Sequence, residues 1–124
     1  MSKSKLLIAS CVLLFTVSAQ AAAPITGNWI TDGGKNSVSI TKCGAALCGK
    51  IVKVLKTKPG EPSYPGALLL SELVDSGGMW TGKIHNPGSG KTYKAKVKIN
   101  PDRTLSVSGC VAMFCKDMIW TPGA

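Results

Sequence analysis

From Gly27 onward, apolar and polar side chains alternate with a period of two, in short runs separated by turn-forming residues. That pattern marks half-buried β-strands, whose successive side chains point to opposite faces. The clearest run is Lys91 to Ile99, with Tyr93, Ala95, Val97 and Ile99 on one face and Lys94, Lys96 and Lys98 on the other. Ser37 to Cys43 places Val38 and Ile40 inward, and Thr104 to Cys110 does the same with Leu105 and Val107. Between the runs stand Asp32-Gly33-Gly34, Cys43-Gly44, Asp75-Ser76-Gly77-Gly78, Asn86-Pro87-Gly88 and Asn100-Pro101-Asp102, all of them turn chemistry.

The alternation predicts eight strands, near 28–32, 36–43, 47–54, 67–73, 79–85, 91–99, 104–111 and 114–120. Most connections are short, which makes sequence neighbours antiparallel partners. One is long, from Leu55 to Gly66, and its Pro59, Pro62 and Pro65 exclude regular structure there. The continuous apolar run from Leu68 to Val74 suits a strand or one to two helical turns. Eight antiparallel strands favour a closed up-and-down barrel, which removes exposed edges; a two-sheet sandwich is the alternative. A chain of 124 residues with 44% hydrophobic content, 14 Gly and 7 Pro fits one small all-β domain. It excludes a multidomain enzyme, a coiled coil and a polytopic membrane protein.

Residues 1–21 have the three parts of a secretory signal: basic Lys3 and Lys5, an apolar stretch from Leu6 to Val17, and a small-x-small site at Ala19-Gln20-Ala21. A competing reading makes Ile8-Ala9-Ser10-Cys11 a lipoprotein box with Cys11 acylated, but that leaves an apolar-rich stretch behind the cut. Cleavage after Ala21 is the expectation, with a single domain over 22–124 that is periplasmic or extracellular and not stably inserted in a membrane. It removes Lys3, Lys5 and Cys11, so 13 of the 15 basic side chains remain against all 6 acidic ones, with four of the 5 cysteines.

Four cysteines in an exported chain point to two disulfides. A long-range bridge such as Cys43–Cys110 would stabilise by about 4 kcal/mol in the loop-entropy model, against about 2 kcal/mol for a local one. Geometry favours the local pairs, because residues flanking a four-residue hairpin loop lie directly opposite each other on one face. Cys43 shares the polar face with Ser39 and Thr41, and Cys110 with Ser106 and Ser108, so the expected pairs are Cys43–Cys48 and Cys110–Cys115. A four-cysteine zinc site would prefer tighter spacing, and a redox pair would more typically be Cys-x-x-Cys. The segments 38–48 and 105–115 echo each other at an offset of 67 residues, as if one hairpin solution were used twice.

Several segments together resemble one family. They are Gly27-Asn28-Trp29, Cys43-Gly44-Ala45-Ala46-Leu47-Cys48-Gly49-Lys50-Ile51, Gly66-Ala67-Leu68-Leu69-Leu70, Trp80-Thr81-Gly82-Lys83-Ile84, Pro87-Gly88-Ser89-Gly90-Lys91-Thr92-Tyr93 and Trp120. In this order and spacing the chain, from Gly27 to Trp120, resembles DUF2147, an uncharacterised bacterial exported domain. The resemblance implies a lipocalin-like, or calycin, barrel. It further implies that a basic residue on the last strand packs over the indole of the first, which assigns a cation–π pair to Trp29 and Lys116 at one barrel end. Lys116 stands where that pattern has Arg, His85 where Tyr is commoner, and Met118 where Gln is commoner. The family carries no established activity.

No nucleophile–base pair, carboxylate pair or metal-spaced cluster stands out, so no enzyme, cofactor or metal is expected. His85 is the only histidine and reads as a strand-end residue; Gly88-Ser89-Gly90-Lys91-Thr92 lacks the strand–loop–helix context of a phosphate loop. The six acids, Asp32, Glu61, Glu72, Asp75, Asp102 and Asp117, fall mostly in expected turns. Two functions remain. One is a binding module for a small apolar or amphipathic ligand, with Trp80, Tyr93, Phe114 and Trp120 as candidate lining. Eight short strands leave little interior, so its pocket is expected to be small, with a mouth near the 55–66 loop. The other is an interaction protein with a filled barrel and a basic outer face, using Lys50, Lys53, Lys56, Lys58, Lys91, Lys94, Lys96 and Lys98 toward an anionic envelope component. Nucleic acid is disfavoured by export and by the lack of aromatic residues on the lysine face. Exported through its own leader, the protein is expected to weigh as a chain starting at Ala22 and lacking the thiol hydrogens of four cysteines. A retained leader, or an acyl group on Cys11, in the intact mass would overturn that reading.

Overall fold

The computed structural model describes residues 23–123. Eight strands run in chain order: β1 (Gly27–Ile30), β2 (Asn36–Cys43), β3 (Ala46–Val54), β4 (Leu68–Asp75), β5 (Trp80–His85), β6 (Thr92–Ile99), β7 (Leu105–Val111) and β8 (Phe114–Pro122). Each pairs antiparallel with its sequence neighbour and β8 returns to β1, so the sheet closes into an up-and-down barrel and not a sandwich. The run Leu68–Asp75 is a strand; its ladder to β5 is interrupted by a bulge between Ser71 and Val74, where Glu72 takes φ 53°. The expected signal segment, its cleavage site and Cys11 lie outside the described residues.

The alternation sorts inward from outward side chains with few exceptions. Val38, Ile40, Leu70, Leu73, Val97, Leu105 and Val107 are fully buried, while Lys94, Lys96 and Lys98 are exposed. Because neighbours are antiparallel, alternate connections lie at opposite ends of the barrel. At one end are the β2–β3, β4–β5 and β6–β7 turns and the approach to β1. At the other are the β1–β2, β3–β4, β5–β6 and β7–β8 connections.

The first end is closed. Residues before β1 turn across it: Ile25 is 1% exposed, its carbonyl accepts the Trp29 indole N–H at 2.9 Å, and the Ala23 carbonyl accepts that of Trp80 at 2.9 Å. The first of these bonds satisfies a buried indole donor that would otherwise cost free energy. The seam is short. Only Trp29↔Pro122 and Ile30↔Thr121 pair β1 with β8, with Gly123 N–H donating to the Asn28 carbonyl at 2.8 Å just beyond.

Inward-facing residues form cross-strand rows. Trp80, Val97, Val107 and Met118 make one; the next toward the other end is Gly82, Ala95, Gly109 and Lys116. Gly82 lets β4 and β5 approach, and the three small residues of this second row leave the interior open above. A Cβ on Gly82 would lie 2.6 Å from the Ser71 carbonyl oxygen and 2.7 Å from that of Glu72, both backbone atoms of the bulge. Gly82→Ala is therefore expected to cost about 2 kcal/mol or more in urea unfolding. Gly49→Ala meets only the side chains of Leu70 and Val38, at 3.3 Å, and should cost about 1 kcal/mol. Equal losses would contradict this account.

Candidate functional site

The second end of the barrel is a mouth of about 620 Å³. Two features of the chain create it. The Gly82–Ala95–Gly109 row holds little side-chain volume, and a Cβ on Gly109 would already meet Ile84 Cγ2 at 3.2 Å. In addition, β1 stops at Ile30 whereas β8 begins at Phe114, so among the described residues no strand pairs with Phe114–Ile119 on the β1 side. The wall is open there, and a short 3-10 turn over Asp32–Gly34 stands in place of a longer β1.

The lining is mainly apolar: Leu69, Ile84, Tyr93, Val111, Phe114, Met118 and Trp120. Trp120, 2% exposed, pairs with Leu105 and lies deepest along β8. The polar lining comprises Thr31, Asp32, Asn36, His85, Asn86 and Lys116. Lys116 extends the row of small residues and reaches the mouth with no ion pair among the described residues. An ammonium against an apolar wall, above an indole floor, can orient an amphipathic molecule by its anionic end.

The candidate lining residues divide. Tyr93, Phe114 and Trp120 line the mouth; Trp80 does not, because it starts β5 at the closed end and bonds to Ala23. Trp29 and Lys116 are not brought together as the resemblance implied. Trp29 pairs with Pro122, six residues beyond Lys116, which is about 20 Å along a strand at ~3.3 Å per residue. The two therefore sit toward opposite barrel ends, and the Trp29 indole is held by the Ile25 carbonyl instead. The mouth is also larger than eight short strands led one to expect, and the 55–66 loop does not form it. That loop covers an adjoining cavity of about 150 Å³, with Tyr64 and Pro62 in its wall.

The loop is tied down by Glu61, whose carboxylate meets Lys35 Nζ at 3.1 Å and accepts the Lys58 backbone N–H at 3.1 Å. The Lys58 amide and the Lys35 ammonium hold the Glu61 carboxyl below its usual 4.5. Glu72 is likewise lowered, by the Lys83 ammonium at 2.6 Å, and Asp102 by bonds from the Thr104 hydroxyl and amide. Glu72, Asp75 and Asp117 lie in strands, not turns.

Both expected disulfides form, on the outer face. Their registers differ although their spacing is the same. Cys110 lies directly opposite Cys115, with Cα atoms 4.0 Å apart, whereas Cys43 opposes Ala46 and bonds diagonally to Cys48 across 5.6 Å. The turn begins at Gly44, φ 69°, immediately after Cys43, but at Ala112, φ 53°, one residue later relative to Cys110. The echo at 67 residues is thus a repeat of spacing and not of hairpin geometry.

His85 does more than end a strand. Its Nε2 lies 2.6 Å from Ser71 Oγ and its Nδ1 2.9 Å from Thr92 Oγ1, tying β4 to β6 across β5 at the rim. Spacing alone does not reveal this cluster, because Ser71 reaches it only through the bulged β4. Among the described residues there is no group of His, Cys, Asp and Glu able to hold a metal ion. Nor is any helix there long and apolar enough to cross a membrane.

Residues 27–122 match the model of an uncharacterized protein conserved in bacteria, DUF2147. The chain belongs to this family. No curated protein and no solved structure matches it.

The Glu61 tie has a pH signature. A carboxyl lowered on folding contributes stability above its unfolded value and loses that contribution as pH falls through the folded one. The Lys58 amide resonance is expected to titrate with a midpoint below 4.5, and Glu61→Gln to abolish the step. A midpoint at or above that value would refute the tie.

Proposed function

We propose that this DUF2147 protein is a non-catalytic, exported binding module that holds a small apolar or amphipathic ligand in the open mouth of its barrel. The observation that carries this reading is the 620 Å³ apolar mouth with Lys116 on its wall and Trp120 at its base. Export and a periplasmic or extracellular setting are supported by the two disulfides, which persist in oxidising compartments. An enzymatic role has less support. The Ser71–His85–Thr92 cluster lies on the rim, and the ring's second partner is a hydroxyl where a carboxylate would be needed to stabilise an imidazolium. No cofactor, metal or nucleic-acid partner enters this reading.

In this reading the tail lies along Ile84, Met118 and Trp120, and an anionic head reaches Lys116. A second reading, contact with an anionic envelope component through a basic outer face, draws on the exposed row Lys94, Lys96 and Lys98. Its filled barrel fits poorly with the mouth.

Dodecanoate and dodecanol separate the parts of the site, with binding read by native mass spectrometry and Trp fluorescence. Gly109→Leu should block both probes. Lys116→Met should weaken dodecanoate about tenfold and leave dodecanol unchanged, the scale of one charge-assisted contact. Failure of both probes to bind, or binding unaffected by Gly109→Leu, would remove the mouth as the site.

A further inference from the structure

The β7–β8 hairpin ends in Val111-Ala112-Met113-Phe114, four consecutive apolar residues. Val111 is 57% exposed, Met113 93% and Phe114 82%. Large side chains bared together in this way mark a contact surface. The tip is rigidly built: Val111 pairs with Phe114, and Cys110–Cys115 clamps the strands directly behind it. It stands at the edge of the mouth, which Val111 and Phe114 also line, and β1 leaves the first half of β8 without a strand on that side. The β2–β3 hairpin offers a comparison within the molecule. Equally stapled, it turns through Gly44-Ala45 and bares no large apolar side chain.

Charge is distributed to match. Around the mouth end stand Lys35, Lys56, Lys58, Lys91 and Lys116 against Asp32, Glu61 and Asp117. The turns of the closed end carry Asp75 and Asp102 beside Lys42 and Arg103.

We propose that the β7–β8 tip is a membrane-contact element: Met113 and Phe114 enter the interface of an anionic lipid bilayer while the lysines of the mouth end meet its headgroups. Apolar side chains on a barrel end with more lysines than acids suit an anionic lipid surface, where burial and charge attraction act together. A second copy of the chain is a poorer occupant. The three exposed side chains offer roughly a few hundred Å², short of the ~800 Å² per partner of a stable interface. A lipid surface, moreover, needs no complementary hollow to receive a hairpin tip. This proposal stands without the ligand reading; if both hold, the mouth opens toward the membrane from which an amphiphile would come.

The test uses flotation with vesicles of phosphatidylglycerol and phosphatidylethanolamine, beside vesicles of phosphatidylcholine alone. The protein should bind the anionic vesicles, bind the neutral ones less, and be weakened by salt. Phe114→Trp should add a component of emission that shifts to the blue on binding. The double variant Met113→Ser with Phe114→Ser should lose affinity at least tenfold. Near-UV circular dichroism and an intact mass with both disulfides would show it folded, and Met113→Leu should retain binding. Three results would overturn the proposal: no binding to anionic vesicles, binding undiminished in the folded double variant, or a dimer in solution that the double variant abolishes.

Discussion

Closure of the sheet between β1 and β8 rests on two residue pairs and one backbone bond beyond them, and the rest of the molecule is arranged around that short seam. A barrel without edges needs its first and last strands to meet, yet β1 spans Gly27–Ile30 while β8 spans Phe114–Pro122. The mismatch is resolved asymmetrically. At the closed end the strands pair, and the seam is backed by Trp29 over Ile25 and by the chain crossing to Trp80. At the other end β8 runs on without β1, the wall opens and the mouth appears. One difference in strand length thus separates a packed base from a hollow top.

The two disulfides act on this arrangement differently. Cys43–Cys48 staples a hairpin in which β3 pairs with β4 up to Leu47 and β2 pairs with β1 up to Ile40, three residues short of Cys43. Cys110–Cys115 staples one in which β8 is supported by β7 alone near the tip. A local covalent clamp adds only about 2 kcal/mol in the loop-entropy picture, but it acts where hydrogen bonding is poorest. Directly beyond it lies the most exposed apolar segment of the described residues.

The mouth combines features that are individually unremarkable. Glycine and alanine at positions 82, 95 and 109 leave volume; Trp120, Met118 and Tyr93 supply an apolar surface; Lys116 contributes one charge. Their combination depends on register, since each belongs to a different position of its own strand. The lysines of the outer face play no part in the mouth, although in the amino-acid sequence they are the more conspicuous group.

Much of the fold was legible in the residues. Period-two alternation and turn residues placed the strands to within a residue or two, because a side chain's face in a strand depends only on parity; the continuous apolar run of β4 carried no such signal and suited helical turns equally. Turn residues fixed the antiparallel order, and the local cysteine spacing fixed which sulfurs meet. The lining role of Tyr93, Phe114 and Trp120 was partly legible for the same reason. What parity cannot supply is position along the barrel axis, which depends on how each strand is registered against the next. Hence Trp29 and Lys116, both inward, belong to opposite ends, and Trp80 belongs to the base. The bulge at Glu72 brings Ser71 to His85, and the early turn at Gly44 makes one disulfide diagonal. The size of the mouth was likewise decided by tertiary structure. It follows from the shortness of β1 against β8 and from three small residues meeting in one row, relations that exist only once the strands have paired.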